Sequence, residues 1–217
     1  MFRAMRTVIL VALVVLPASA LQAASMSSDC ITHNLAADCA IGEAQLTLDV
    51  LDVGGGQVVF HFENQGPNAA TVASIYVDDS NRRLDRIRDL IGSIGVSFRE
   101  GGSPKNLPGG NGNPLRFRDD FRAAAKSSPS KNGIGSGEWL DILFDLKGGN
   151  TFADVIADLT SGDMIDAALR VGVHVVGYSS EGSESFVAAI PEPGTAALVA
   201  LGLVGLGARR ARRPQGM

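Results

Sequence analysis

Residues 46–63 read LTLDVLDVGGGQVVFHFE, two alternating segments separated by glycines 54–56. One parity is apolar throughout both segments, at Leu46, Leu48, Val50, Val58, Phe60 and Phe62. Successive side chains of a strand point to opposite faces, so this period of two indicates strands with one buried face. Glycine adopts the positive φ values that tight hairpin turns require. The stretch therefore predicts an antiparallel hairpin that packs one face against a core.

The same alternation predicts further strands along the chain. The clearest is Glu138–Leu146, where every second residue is a large apolar one. Other strands are predicted at residues 72–77, 95–98, 166–178 and 183–188, with the last one at an edge of its sheet. Residues 78–91 fit either two helical turns or an irregular strand, because their apolar residues have helical spacing while charges interrupt them.

Turn-rich segments and one helix complete the body. Residues 101–114 and 127–137 are rich in glycine, proline and asparagine, which predicts long exposed loops. Thr151 and Asp154 fit an N-terminal helix cap ahead of a short apolar stripe. Seven or eight strands with glycine-rich turns favour a mostly β fold. We expect a two-sheet antiparallel β-sandwich, jelly-roll or Greek-key like, with one short helix.

The C-terminus has a different composition. Pro191-Glu192-Pro193 precedes an uncharged run at residues 195–208, and four arginines follow it: Arg209, Arg210, Arg212 and Arg213. The run has the composition of a membrane helix, with the arginines on its cytoplasmic side. Its 14 residues reach only about 21 Å, against roughly 30 Å of bilayer hydrocarbon. Such a short span suits a segment that is held briefly and cut, although a buried helix of a globular core is the other interpretation.

This arrangement resembles the PEP-CTERM sorting signal of Gram-negative bacteria. The tripeptide, the uncharged helix and the arginine cluster occur in the order found in that family, over about a tenth of the chain. The resemblance implies an exported protein that exosortase recognises at Pro191, Glu192 and Pro193. It also implies an accompanying exopolysaccharide system, but no activity for the body of the chain.

The N-terminus independently predicts export. Arg3 and Arg6 precede an apolar run at residues 8–16, and Ala18-Ser19-Ala20 forms an A-x-A cleavage site, with a second possible cut after Ala23 or Ala24. The expected organisation is a signal peptide at residues 1–23, a β-sandwich body at 24–189 and a sorting signal at 190–217. The body has the length of one domain.

Charge restricts the partners of the body. Apart from the two targeting ends, 13 basic and 22 acidic residues remain, for a net charge of −9. Nucleic acid requires a basic surface, so it is excluded as the expected partner. An acidic exported body is compatible with divalent cations or a neutral polysaccharide.

The two cysteines, Cys30 and Cys39, lie close together near the mature N-terminus. In an oxidising compartment this predicts a disulfide that closes a small loop. His33 lies between them, so a metal site is the alternative, although CxxC spacing is absent and the ligands are few.

The search for chemistry returns weak candidates. No GxSxG, HExxH or phosphate-binding loop is present. His61 and His174 lie on strand faces opposite the apolar series, so they could meet on one outer sheet and bind a metal with Asp49, or be ordinary surface histidines. The densest oxygen cluster could bind calcium or form ion pairs with the interleaved arginines; its members are Asp78, Asp79, Asn81 and Asp85.

Two aromatic residues, Tyr76 and Trp139, are expected on exposed strand faces, where they could stack on sugar rings or cover an apolar patch. With no catalytic residues and no cofactor predicted, we expect a non-enzymatic cell-surface or extracellular-matrix protein. It would be structural or adhesive in association with exopolysaccharide, and would contact the inner membrane only during sorting. The alternative is a secreted hydrolase that acts on polysaccharide or another polymer.

Overall fold

The computed structural model describes residues 23–162 and 164–189. Within these residues the chain forms ten strands and three helices. The strands are β1 (Ala23–Cys30), β2 (Leu46–Gly54), β3 (Gln57–Asn64), β4 (Thr71–Asp79), β5 (Leu84–Gly92), β6 (Phe98–Glu100), β7 (Phe121–Ala125), β8 (Glu138–Leu146), β9 (Leu169–Val176) and β10 (Ser183–Ala189). The helices are α1 (Ala36–Gln45), α2 (Pro129–Asn132) and α3 (Phe152–Leu159).

All strand pairs are antiparallel, in the order β5-β8-β3-β2-β1-β10-β9-β4-β7-β6. Strand β1 pairs with β2 through residues 23–26 and with β10 through residues 27–30. We call the strands on the β2 side (β2, β3, β8 and β5) the β3 half, and those on the β10 side (β10, β9, β4, β7 and β6) the β9 half.

The two halves face each other across one core. The Phe144 ring of the β3 half lies 5.1 Å from Phe60 on its own side and 5.4 Å from Phe121 of the β9 half. Buried residues from both halves belong to the same cluster, including Val50, Ile75, Val173 and Phe186. The mostly β, antiparallel prediction is confirmed. In place of two separate sheets, β1 joins both halves into one nearly barrel-shaped sheet.

The strongest local patterns are confirmed. Strands β2 and β3 form the predicted hairpin, with Leu48 opposite Phe62 and positive φ at glycines 54–56. Strands β8 and β9 bury the predicted apolar parity. Helix α3 begins with a capping box in which Thr151 and Asp154 exchange hydrogen bonds. Of the two alternatives for residues 78–91, helix or irregular strand, the structure shows a strand at residues 84–92. Its pairing with β8 shifts register twice. These shifts explain why the spacing of its apolar residues departs from two.

Several elements differ from the predictions. Strands β1 and β7 and helices α1 and α2 were not predicted, and β6 begins at Phe98 rather than at residue 95. Strand β10 lies between β1 and β9, so the prediction of an edge strand is wrong. Helix α1 packs on β10 so closely that a Cβ on Gly42 would lie 2.1 Å from the Phe186 ring. Which strand becomes a neighbour depends on these distant contacts, which the local pattern does not contain.

The predicted exposed loop at residues 101–114 instead covers the outer surface of the β9 half. Leu107 is buried there in a second apolar cluster with Tyr76, Leu115, Phe117 and Val187. A Cβ on Gly172 would lie only 2.6 Å from Leu107 Cδ2, so the glycine of β9 makes room for this side chain. Nine of the fourteen residues at 101–114 are exposed, as predicted, but Leu107 and Gly110 are buried, so part of the loop forms a layer of the fold.

Candidate functional site

A polar row crosses the outer surface of the β3 half. The strand register places Asp49 opposite His61 and His61 opposite Asp141. The imidazole Nδ1 of His61 lies 2.6 Å from Asp141 Oδ1, and the Ser25 hydroxyl donates to Asp49 Oδ1 at 2.5 Å. The His61 and Asp141 side chains are 26% and 27% exposed, so both are accessible from solvent.

Trp139 lies beside this row. Its ring centroid is 5.8 Å from that of His61, and the two planes are inclined by 34°. The Trp139 backbone is fixed by Ser93, whose hydroxyl accepts from the tryptophan N–H at 3.1 Å. The register places Glu63 opposite Trp139. We call the surface formed by Asp49, His61, Glu63, Trp139 and Asp141 the Trp139 face. Each of these five residues is partly exposed.

The Trp139 face combines a flat apolar surface with carboxylates. Three carboxyl groups, those of Asp49, Glu63 and Asp141, occupy positions next to the two rings on neighbouring strands and can accept hydrogen bonds. Sugars present apolar ring faces together with hydroxyl donors, so an aromatic ring beside carboxylates can contact both parts. The prediction that Trp139 lies on an accessible strand face agrees with this geometry.

Tyr76 occupies a different environment. It is fully buried in the second apolar cluster, and its hydroxyl donates to the Pro104 carbonyl at 3.2 Å. Burial raises the pKa of the Tyr76 hydroxyl. The sequence pattern correctly placed Tyr76 on the outer face of its strand, but residues 101–120 cover that face. The prediction that Tyr76 is exposed is therefore wrong.

The two strand histidines do not meet. His61 lies on β3, whereas His174 lies on β9 in the other half of the sheet. The Nδ1 atom of His174 is 3.2 Å from the Ser185 hydroxyl oxygen, and burial lowers the pKa of this imidazole. His174 is therefore mainly neutral at pH 7. The prediction of a metal site shared by His61, His174 and Asp49 is wrong, and the alternative of two separate hydrogen-bonded histidines agrees with the structure.

The predicted calcium ligands serve the fold. The Asp78 carboxylate pairs with the buried Arg170 guanidinium. Asp79 accepts the backbone N–H of Leu84 at 2.8 Å, and burial raises the pKa of Asp79. Asp85 is exposed on β5. The structure does not bring Asp78, Asp79 and Asp85 together as a group of possible metal ligands, as judged from residues 23–162 and 164–189.

The predicted disulfide is present between Cys30 and Cys39, whose Cα atoms are 5.4 Å apart. His33 lies beside it, with Nδ1 3.8 Å from Cys39 Sγ. Across the described part of the chain, Cys30, His33 and Cys39 are the one group of three or more potential metal ligands whose ligand atoms lie within 4.8 Å of one another. Both sulfurs are engaged in the disulfide, which leaves His33 as the remaining ligand.

Sequence reasoning missed Glu184, which organises the disulfide loop. Its buried carboxylate accepts the backbone N–H groups of Asn34 at 3.1 Å and Leu35 at 2.6 Å, and the hydroxyl of Thr32. The one available signal was a glutamate at an inward-facing or covered position of a strand. That signal is weak, because the partners lie about 150 positions away in the chain.

The residues of the sorting signal lie outside the described residues. They are Pro191, Glu192, Pro193, Arg209, Arg210, Arg212 and Arg213. The predicted apolar helix at 195–208 lies there too. Among the described residues, no helix has both the length and the apolar character needed to cross a membrane.

Comparison with known families gives one match. The family model for the PEP-CTERM protein-sorting motif matches residues 189–213. The chain carries a PEP-CTERM sorting motif. The resemblance drawn from the tripeptide, the apolar run and the arginine cluster is thereby confirmed. The PEP-CTERM motif indicates export, processing by exosortase and sorting to the cell surface.

Comparisons with curated proteins and with solved structures gave no match. The PEP-CTERM match covers residues 189–213 and does not extend over residues 24–188 of the body. What the body does must therefore be inferred from its surfaces.

Proposed function

We propose that the body is a non-enzymatic surface module that holds a neutral glycan of the extracellular matrix on the Trp139 face. The observation that supports this is the partly exposed Trp139 ring, 5.8 Å from His61, with carboxylates at neighbouring positions of the sheet. The sorting motif delivers the chain to the cell surface, where exopolysaccharide is the expected glycan. The inner membrane is a contact during sorting only.

Charge favours a neutral glycan over an acidic one. Asp49, Glu63 and Asp141 surround the rings, and the body as a whole is acidic. Like charges would repel a polysaccharide rich in carboxylates, whereas neutral sugar hydroxyls can donate to these acceptors. Adhesion through many weak contacts on an extended polymer does not require a deep pocket.

A glycan array with purified body tests the proposal. Wild type is expected to bind neutral polysaccharides, and Trp139→Ala is expected to lose most of that signal because the stacking surface is removed. Val53→Ala is the matched control, since Val53 is an exposed apolar residue at the far end of β2. Equal signals from wild type and Trp139→Ala would exclude this face as the binding surface.

The second candidate is a secreted hydrolase that uses the His61–Asp141 pair. An accessible imidazole oriented by a carboxylate is the arrangement of a general base. The hydroxyl of Ser25, in the same cross-strand row, donates to Asp49 instead of His61, so His61 does not hold this hydroxyl as a nucleophile. Polymer degradation by wild type that is lost in His61→Ala would favour the hydrolase over the binding module.

A further inference from the structure

A cleft of about 380 Å³ opens on the outer surface of the β9 half, away from the Trp139 face. Its floor follows a cross-strand row on four neighbouring strands, set by the register: Arg99, Ala124, Ser74 and His174. Ala124 and Ser74 are small, and they lie between the longer Arg99 and His174 side chains. The depression therefore follows from side-chain size along one row of the sheet.

Two chain segments form the walls. The segment after β6 contributes Ser103 and Pro104, and it passes so close to β7 that a Cβ on Gly102 would lie 2.5 Å from the Ala124 Cβ. The segment after β7 contributes Ser127 and Pro129. The volume is at the lower end of the roughly 300–1,000 Å³ typical of small-molecule sites. The cleft thus suits a ligand of one or two sugar units.

The polar groups of the cleft indicate the ligand chemistry. Arg99 is its one cationic side chain at neutral pH, and no ion pair to Arg99 is found within the described ranges. Burial lowers the pKa of His174, whose Nδ1 lies 3.2 Å from the Ser185 hydroxyl oxygen. Ser103 and Ser127 add uncharged hydrogen-bonding groups, whereas the buried Ser74 hydroxyl donates to the Ser103 carbonyl at 3.5 Å. Alanine, proline and valine supply apolar walls.

We propose that this cleft binds a sugar acid, with the carboxylate on Arg99 and the sugar hydroxyls on the serine and histidine groups. A single unpaired arginine suits one carboxylate, because a charge-assisted hydrogen bond of this kind is stronger than a neutral one. The inference does not rest on the Trp139 face, and either site can fail without the other.

The test is a titration of the purified body with sodium glucuronate, in which NMR chemical shifts report binding. Methyl glucoside serves as the neutral comparison. Wild type is expected to bind glucuronate in the millimolar range, with shift changes at Ser103, Ser127 and His174, and to bind methyl glucoside at least tenfold more weakly. Arg99→Ala is expected to weaken glucuronate binding about tenfold, and Arg99→Lys to restore part of it, since the charge returns.

Arg118→Ala is the matched control, because Arg118 is an exposed arginine of the same half outside the cleft. Arg99 is itself exposed, so none of these changes removes a buried side chain. The proposal is overturned by no saturable binding of glucuronate, by equal affinity for the two sugars, or by an Arg99→Ala variant that binds like wild type.

Discussion

The outer surfaces of the two sheet halves differ although both follow the same alternation of side chains. On the β3 half, the Trp139 face is reached by solvent and is acidic. On the β9 half, the twenty residues between β6 and β7 fold back over the strands and bury Tyr76 and Val187. A long connection therefore turns one outer surface into a second core and leaves a cleft at its edge. Outward orientation alone does not make a residue available for binding.

The largest effect on the free energy of unfolding is expected from removing the Leu107 side chain, which anchors the connection between β6 and β7 to the sheet. Leu107→Ala should lower the free energy of unfolding by about 2–5 kcal/mol, because the substitution leaves a cavity above Gly172. Leu143→Ala, on the partly exposed outer face of β8, should cost less than about 1 kcal/mol. Urea unfolding of both variants measures the difference. Similar losses for the two leucines would contradict the distinction between covered and open surfaces.

The next largest effect on stability is expected at the disulfide beside β1, the strand shared by both halves. The disulfide holds the end of β1 against the start of α1 across a sequence separation of nine. Replacing both cysteines by serine is expected to cost about 2–3 kcal/mol, since a short loop is no longer closed in the unfolded chain. Thermal unfolding with and without a thiol reductant provides the measurement. Insensitivity of wild type to the reductant would argue against this role.

Two aspartates, one on each half, allow the environments of the two halves to be compared by pH titration. On the open β3 half, a hydrogen bond from Gln57 at 2.8 Å and the guanidinium of Arg86 hold the pKa of Asp145 below its ordinary value of 3.8. On the β9 half, burial raises the pKa of Asp79 above that value. NMR titration of the carboxyl carbons should show Asp79 taking up its proton before Asp145 as the pH falls.

The sign of the stability effect follows from these directions. Because its folded pKa is lowered, Asp145 contributes stability above pH 3.8 that is lost as the pH falls through its folded pKa. Asp79 has the opposite sign: its raised folded pKa means that stability is lost as the pH rises from 3.8 through that value. Asp145→Asn should therefore reduce the loss of stability below pH 3.8. A reversed titration order would contradict the assigned environments.

The smallest effect concerns the mature N-terminus. Ala23 pairs with Leu51 and Ala24 with Val50, so the start of β1 belongs to the β3 half. Cleavage after Ala20 keeps both pairs, whereas cleavage after Ala24 removes them. The pairs favour cleavage after Ala20 over the boundary after residue 23 expected from the sequence, so we expect Leu21 as the first residue of the secreted protein, measured by intact mass. A mature chain that begins at Ser25 would show that the β3 half does not need these pairs.

Local pattern predicted the hairpin, β8, β9 and the cap of α3, because each depends on neighbours in the chain. The same alternation correctly placed Tyr76, Trp139, His61 and His174 on outer faces. Their exposure and proximity depended on distant residues: Leu107 lies over the β9 half, and β1 separates the two histidines onto different halves. The central position of β10 was missed for the same reason, since its neighbours come from opposite ends of the chain.

The most direct test of the account is to map where neutral matrix polysaccharide contacts the isotope-labelled body by NMR. We expect shift changes at Trp139, His61 and Asp141 on the open surface, with Tyr76 and Leu107 unchanged. Shift changes confined to the β9 half would contradict binding at the Trp139 face. So would the absence of shift changes with a polysaccharide that binds the protein in a column assay.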